Sequence, residues 1–343
     1  MKMIFRNWLF AIAALITAYA YGDPCYTGIW DITTGYRHDS FEWSIAGANG
    51  FPGTLAEIDW KNIHSAQVGT KWLLAGIDSI YTRFDGYWAQ VVQPDITYKA
   101  FRSDGRKKVK EVFCRGSREK GGFFCDNGGH IFEAKWGIGA HLCSCPKRPK
   151  RYDIAALVGY SCRNMRLRSV DPKLVFDDTS PFKKVSKCIR CLCYRYKPCK
   201  SGGWAGLDGF FRIGRCLNLF VAYEWHFAAF RASGSWRWRE PSRKVRRGER
   251  QEEFKLRWKE CSTAWGNIAT TTLTYHACDN WYFGVFAMGE YWRSRKGEYC
   301  PTVLKDTVSE FREAKVRLPT KTATLNPITW LTYYVGVDMQ CRF

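Results

Sequence analysis

The cysteines are the first residues in this sequence whose type and number could do chemistry. The chain has 343 residues and fifteen cysteines, an odd number, so at least one thiol is free or bonded to another chain. Four of them lie at a spacing that suggests a zinc site, namely Cys188, Cys191, Cys193 and Cys199. That cluster contains no histidine, and disulfide bonds are the better expectation wherever the compartment is oxidising.

The basic residues are the second group, because the formal net charge is +21 at pH 7. The densest run of basic residues is at 243–247. In a cytoplasmic protein such a run would suggest binding to nucleic acid, whereas in an exported protein it favours binding to another polyanion. Arginine forks fit phosphate well, so lipopolysaccharide or an acidic surface polysaccharide are the candidate ligands, and a solvated loop surface is the alternative. The candidate polyanion-binding residues are Arg243, Lys244, Arg246, Arg247 and Arg250.

The start of the chain decides between these compartments. A positively charged beginning precedes an apolar stretch that ends in Ala18-Tyr19-Ala20, the small-x-small pattern of a signal-peptide cleavage site. We therefore predict a signal peptide over residues 1–20 and an exported mature chain over 21–343. Export makes disulfide bonds the expected state of most cysteines, and it removes nucleic acid from the expected partners.

Acid–base chemistry has two candidate pairs, Asp59 with His64 and Asp208 with His226. A carboxylate beside a histidine can orient the imidazole so that it acts as a general base, but no spacing in the sequence singles out either pair. The sequence also has no Gly-x-Ser-x-Gly, no Walker loop and no His-Glu-x-x-His motif. We therefore predict that the protein is not an enzyme and binds neither a cofactor nor a metal ion.

The elements that would position these groups are strands with one apolar face. In residues 132–142 the even positions are apolar and the odd positions are polar or glycine, and 217–229 and 281–291 alternate in the same way. About ten such residues, tilted by about 40°, cross the roughly 25 Å apolar band of an outer membrane. Because lipid offers no hydrogen-bond partners, the sheet must close on itself. The predicted fold is all-β, a transmembrane antiparallel β-barrel of about ten strands, with twelve as the alternative.

Short and long connections alternate along the predicted strands, as they do between the periplasmic turns and outer loops of such barrels. Short turns are predicted near 69–75, 143–150, 213–216 and 278–280. Long outer loops are predicted near 93–130, 168–203, 236–264 and 293–325. The cysteine cluster then falls in an outer loop, and four further disulfide candidates fall at or beside the turns: Cys143, Cys145, Cys216 and Cys278. Bonds to neighbouring envelope proteins and bonds within the chain are both open.

The polar residues between the apolar ones would face the lumen. Their mixed charges could line a passage for solutes, or they could form a closed plug of ion pairs. A ten-strand barrel has a lumen largely filled by side chains, which favours the plug. The candidate lumen residues are Glu133, Lys135, His141, Asn218, Glu224, His226, Glu290, Asp338, Gln340 and Arg342.

The last residues of the chain alternate most clearly, and the final one is aromatic. An amphipathic terminal strand of this kind looks like the signal that the outer-membrane assembly machinery recognises. The predicted signal consists of Tyr333, Val335, Val337, Met339, Cys341 and Phe343.

Residues 34–47, which read TGYRHDSFEWSIAG, resemble the opening strand of the Protochlamydia outer membrane protein family. Residues 55–64 resemble its second strand, and weaker matches at 157–161, 204–208 and 278–284 follow in order. The resemblance implies a barrel in the outer membrane of a Gram-negative, chlamydia-like bacterium. It also implies an envelope in which outer-membrane proteins are linked by disulfides, and it carries over no catalytic motif.

Together these features predict an integral outer-membrane barrel with a structural role in the envelope, to which porin-like passage of small solutes could be added. One alternative is a surface adhesin, or a barrel that binds polyanions or lipopolysaccharide through its basic loops. The third is a rim protease like the omptins, which are ten-stranded barrels that use Asp and His near the rim. The expected partners are outer-membrane lipid, lipopolysaccharide, the assembly machinery and disulfide-linked envelope proteins.

Overall fold

The structure is a computed structural model of the chain, and every regular element that it describes is a β-strand. Among these residues, no helix has the length and apolar character needed to cross a membrane. The predicted signal peptide at 1–20 lies outside the described residues and stays a prediction. The described ranges are 27–46, 54–75, 80–100, 110–114, 128–144, 152–170, 173–177, 184–188, 192–239, 253–278, 280–303 and 322–343.

Fifteen strands occur in these ranges, and they are numbered in chain order. They are β1 (Thr27–Ala46), β2 (Thr54–Ala75), β3 (Ile80–Ala100), β4 (Lys110–Cys114), β5 (Gly128–Ser144), β6 (Tyr152–Val170), β7 (Lys173–Asp177), β8 (Lys184–Cys188), β9 (Leu192–Ile213), β10 (Leu217–Arg239), β11 (Glu253–Cys278), β12 (Trp281–Ser294), β13 (Gly297–Val303), β14 (Ala323–Leu325) and β15 (Thr329–Arg342).

Ten long strands close into an antiparallel barrel in the order β1, β2, β3, β5, β6, β9, β10, β11, β12 and β15. The ring closes where β15 pairs with β1, with Gly35 opposite Gly336, and with β12, with Val285 opposite Val337. Both ends of the paired chain meet there, since Gly28 and Phe343 exchange backbone hydrogen bonds of 2.7 and 3.0 Å. The prediction of a ten-strand barrel is confirmed, and the alternative of twelve strands is wrong.

The outer face of the barrel is apolar over the part nearer the short turns. Exposed large side chains there include Trp136, Val158, Val221 and Val337, each at least 41% exposed. Two pairs of adjacent aromatic residues lie on β12, Trp281 with Tyr282 and Tyr291 with Trp292. Because neighbouring residues of a strand face opposite sides, only Trp281 and Tyr291 are exposed on this face. Tyr282 is half-buried and Trp292 is 5% exposed, on the lumen side, so only one residue of each pair can contribute to an aromatic girdle.

Several strands continue beyond the segment that an apolar band requires, into ranges that were predicted as loops. β3 runs to Ala100, β9 begins at Leu192, and β11 begins at Glu253. In these extensions the alternation inverts, because apolar residues such as Tyr194 and Trp258 face the interior while basic residues face outward. The extensions therefore form a part of the barrel with an apolar core and a polar outer face.

The prediction of a turn near 69–75 was wrong, because these residues belong to β2. They pair with β1 on one side and β3 on the other, with Thr70 opposite both Ile32 and Gly86. Lys71 gives the segment its polar appearance, but this side chain points into the lumen and lies 3.3 Å from Asp31. A polar residue within a strand can face the interior of the barrel, so its polarity alone does not indicate a turn.

Candidate functional site

The middle of the barrel interior is filled by charged side chains from seven strands, each at an inward position of its strand. All of these residues are 4% exposed or less. We call this set the lumen network, and it consists of Arg37, Asp39, Arg83, Asp85, Glu133, Lys135, Arg163, Asp208, Glu224 and Glu290.

The half of the network nearer the short turns is centred on Glu224. Its carboxylate accepts hydrogen bonds from Lys135 Nζ at 3.0 and 3.2 Å, and Arg83 also donates to it. The Arg83 guanidinium bridges to Asp208 at 2.5 Å, and Asp208 accepts a further hydrogen bond of 2.9 Å from the hydroxyl of Tyr81. Asp85 lies 3.2 Å from Arg83 and 3.3 Å from Lys135, so Arg83 contacts three carboxylates and Lys135 contacts two, as buried charges require.

The other half is centred on Arg163, whose guanidinium donates to both Glu133 and Glu290. Arg37 lies beside it and forms two hydrogen bonds of 2.8 Å with Asp39. These pairs join side chains from four strands, β1, β5, β6 and β12, that do not all adjoin one another in the sheet. The network therefore crosses the lumen and does not merely follow its wall.

A layer of stacked aromatic rings lies above the lumen network, on the side away from the short turns. Phe41 stacks on Trp330, Trp60 and Tyr196, with ring centroids 4.5, 5.6 and 5.7 Å apart. We call this set, with its neighbours, the aromatic layer: Phe41, Trp43, Trp60, Tyr194, Tyr196, Trp258, Tyr299 and Trp330. Glu260 lies within it and accepts hydrogen bonds of 2.7 Å from the hydroxyl of Tyr196 and the indole of Trp258.

The predicted lumen residues lie in two places. Glu133, Lys135, Glu224, His226, Glu290, Asp338 and Gln340 are buried in the interior. His141, Asn218 and Arg342 line a cavity of about 600 Å³ at the end where the short turns lie. Sequence reasoning missed Arg37, Asp39, Arg83, Asp85 and Arg163, and it considered Asp208 only as a partner of His226. A usable signal was present in Arg37-x-Asp39 and Arg83-x-Asp85, since residues two apart on a strand share a face.

Neither predicted catalytic pair is brought together. Asp59 pairs with Lys61 at 2.8 Å, whereas His64 faces outward and contacts the hydroxyl of Tyr36. Asp208 contacts Tyr81 and Arg83, and its expected partner His226 bonds elsewhere.

A different row connects a hydroxyl, an imidazole and a carboxylate. The hydroxyl of Ser161 lies 3.2 Å from His226 Nδ1, and His226 Nε2 lies 2.7 Å from Glu224. All three residues are at most 7% exposed. The rings of Trp204 and Trp292 lie 5.9 and 5.2 Å from the imidazole, so the row is enclosed on both sides.

The cysteines of the described ranges do not assemble a metal site, since no group of three or more metal-ligating side chains occurs there. Of the disulfide candidates, Cys199, Cys216 and Cys278 are free thiols, and the latter two are exposed near the short turns. Cys143, Cys188 and Cys193 lie on strands β5, β8 and β9. Cys145 and Cys191 lie outside the described residues, so the disulfide prediction stays a prediction.

The remaining predicted residues lie at opposite ends of the barrel. Arg243, Lys244, Arg246, Arg247 and Arg250 fall between β10 and β11, outside the described residues. On β15, Tyr333, Val335 and Val337 are exposed on the outer face, as is Phe343 at the end of the chain. Met339 and Cys341 are half-buried on the same face. Their role in assembly stays a prediction.

A closed antiparallel barrel with an apolar outer belt is the architecture of an outer-membrane β-barrel protein. The family model described as Protochlamydia outer membrane protein matches residues 31–343. The chain therefore belongs to this family, and its location is the outer membrane of a Gram-negative bacterium. Both the resemblance and the location predicted from the sequence are confirmed.

Solved barrels are similar to this chain in fold. The outer membrane protease OmpT from Escherichia coli aligns with a TM-score of 0.65 and 12% identity, over 93% of this chain and 97% of that one. The outer membrane protein OprG from Pseudomonas aeruginosa aligns with a TM-score of 0.36 and 8% identity, over 91% and 95%. At such identities the likeness to OmpT shows the fold alone. No curated protein matches the chain.

Proposed function

We propose that the protein is a structural barrel of the outer membrane whose lumen is closed to the passage of solutes. The observation that carries the proposal is the lumen network, in which Arg163 and Arg83 each bridge carboxylates of different strands across the interior. Side chains that meet across a lumen leave no continuous path for water, as expected for a barrel of ten strands.

The energetics of the network support a permanent closure. To open a path, Glu133 and Glu290 would have to leave Arg163, and each separation would strand a buried charge. Removing one partner from a buried ion pair costs about 3–5 kcal/mol, so thermal opening of several pairs at once is rare. The aromatic layer adds a second barrier above the network, because Phe41 and Trp330 stack at 4.5 Å within it.

The cavity at the turn end supports the same conclusion, because its lining does not reach the lumen network. Its inner lining includes Leu73, Tyr81 and Phe220, and no residue of the lumen network contributes to it. Water from the periplasm therefore enters the first part of the barrel and stops below the charged layer. In this proposal the enclosed row of Ser161, His226 and Glu224 orients Glu224 toward its cations and performs no chemistry.

Planar-bilayer recordings test the proposal. The full chain, refolded and verified by a heat-modifiable shift on a gel, should insert without stepwise increases in current. A large porin refolded in the same way provides the positive control for insertion and detection. Reproducible current steps from the verified barrel would contradict the closed lumen and favour porin-like passage.

A further inference from the structure

The outer faces of β6, β9, β10 and β11 change character abruptly along the strands. Tyr160, Trp225 and Phe227 are 50–55% exposed and mark an aromatic level on this side of the barrel. Above that level the outward positions are basic, on the strand extensions that hold the aromatic layer inside. We call these exposed residues the outer basic patch: Arg166, Arg195, Lys197, Arg231, Arg257 and Lys259.

The register of the strands sets the patch out in rows. Ser233 of β10 lies between Lys197 of β9 and Lys259 of β11. Adjacent strands are about 4.8 Å apart, so these two ammonium groups start from backbones separated by about 10 Å. In the next row outward, Ser235 lies between Arg195 and Arg257 in the same way.

Arg231 stands alone in the row below, between Cys199 and Cys261. Successive rows are about 7 Å apart along the strands. Six cations with hydroxyls between them therefore cover one side of the barrel wall.

Over the described parts of β6, β9, β10 and β11, the patch has no acidic side chain among its own rows. None of the six cations forms an ion pair with another described residue. On these four strands, no outward position between the aromatic level and the row of Arg195 and Arg257 carries an acidic side chain. Glu298 of β13 borders the patch, opposite Cys261. Because the carrying strands are paired on both sides, the cations are held close together by a rigid backbone, and a bound anion would relieve their mutual repulsion.

The height of the patch matches that of lipid head groups. Arg231 lies four residues beyond Phe227 along β10, which is about 13 Å along a strand and about 10 Å above the aromatic level at a tilt of about 40°. Aromatic girdles mark the level of the lipid head groups. Arg231 therefore lies nearest the phosphates of the outer leaflet. Arg195 and Arg257, four residues further along their strands and about 20 Å above the aromatic level, lie beside its sugars.

We infer that the outer basic patch binds the phosphorylated head group of an anionic glycolipid of the outer leaflet. Directly below the patch the same strands present apolar side chains, with Val158, Leu207 and Tyr223 each at least 51% exposed, which would hold the acyl chains. A soluble polyanion would use only the charges, whereas an anionic lipid uses both the charged and the apolar surfaces. This site is distinct from the loop run at 243–250, and it does not depend on whether the lumen is closed.

Binding of diphosphoryl lipid A to the refolded full chain tests the inference, with bound lipid counted by native mass spectrometry during a titration. The patch variant combines Arg166→Gln, Arg231→Gln and Lys259→Gln. Its matched control combines Lys61→Gln, Arg212→Gln and Arg215→Gln, which removes the same charges from exposed positions elsewhere. We expect the patch variant to bind at least tenfold more weakly and the control to stay within twofold of the unmodified protein.

Equal binding by both variants, or an equal loss in both, would overturn the inference. So would a patch variant that loses only binding to a heparin oligosaccharide and keeps lipid A, because the occupant would then be a soluble polyanion. If the patch variant does not refold, the unmodified barrel decides alone, since it must prefer diphosphoryl lipid A to its dephosphorylated form by at least tenfold. Bilayer conductance is measured in parallel and should be the same for all variants.

Discussion

Arg163 illustrates how strongly one buried side chain can hold the barrel together. Its guanidinium joins Glu133 of β5 to Glu290 of β12 across the lumen. We expect Arg163→Met to lower the free energy of unfolding by about 3–5 kcal/mol, because both carboxylates would stay buried without this cation. Urea unfolding in lipid vesicles measures the change. Arg166→Met, on the outer face of the same strand, is the control and should stay within about 0.5 kcal/mol.

For Lys200, which lies near Arg163, we expect the opposite effect on the free energy of unfolding. Its ammonium lies over the rings of Trp292 and Trp330, 4.3 and 3.8 Å from their centroids, and it has no hydrogen-bond partner among the described residues. Since desolvation of an unpaired charge is unfavourable, we expect Lys200→Met to leave the free energy of unfolding unchanged or higher. The same urea titration applies. A loss of more than about 2 kcal/mol would mean that the cation–π contacts outweigh the desolvation.

At the scale of strands, close approach between elements depends on one missing side chain. A Cβ atom at Gly159 of β6 would collide with the backbone oxygen of Trp136 on β5, and it would lie 2.7 Å from Cε2 of Trp204, which packs inside the barrel from β9. We expect Gly159→Ala to lower the free energy of unfolding by about 1–3 kcal/mol through overpacking. Gly289→Ala is the matched control, because no atom lies within 4 Å of the added methyl group there. Equal effects of the two changes on urea unfolding would contradict this account.

The strands within the lipid could be predicted from the sequence because water and lipid impose opposite preferences on their two faces. The strand extensions could not be predicted, because beyond the membrane the apolar residues face the interior and the polar residues face outward. In β9, Tyr194 and Tyr196 face inward while Arg195 and Lys197 face outward, so the period of two survives with its phase reversed. A search for one apolar face outward therefore assigned these residues to a loop.

The interior could be predicted in character but not in its contacts. Glu133, Glu224 and Glu290 are recognisable as candidate lumen residues because they occupy the polar positions between apolar ones. Their partners Arg83 and Arg163 come from other strands, and the sequence carries no record of which strands face each other across a barrel. The outer basic patch was missed for a related reason, since its members are spread over four strands and become neighbours only through register.

At the scale of the whole molecule, the even number of strands places both ends of the paired chain on one side. Gly28 and Phe343 lie together at the end that also carries the turn at 214–216. We expect an epitope inserted between Arg239 and Glu253 to be labelled by antibody on intact cells. The same epitope inserted at Arg215 should be labelled only after the outer membrane is permeabilised. The reverse pattern would mean that the barrel is oriented the other way.

The length of β10 and β11 has a consequence for what meets the cell from outside. These strands have 23 and 26 residues. At about 3.3 Å per residue and a tilt of about 40°, β11 rises on the order of 30 Å or more past the roughly 25 Å apolar belt. A bacteriophage or an immunoglobulin would therefore touch a stiff collar well before it touched the bilayer.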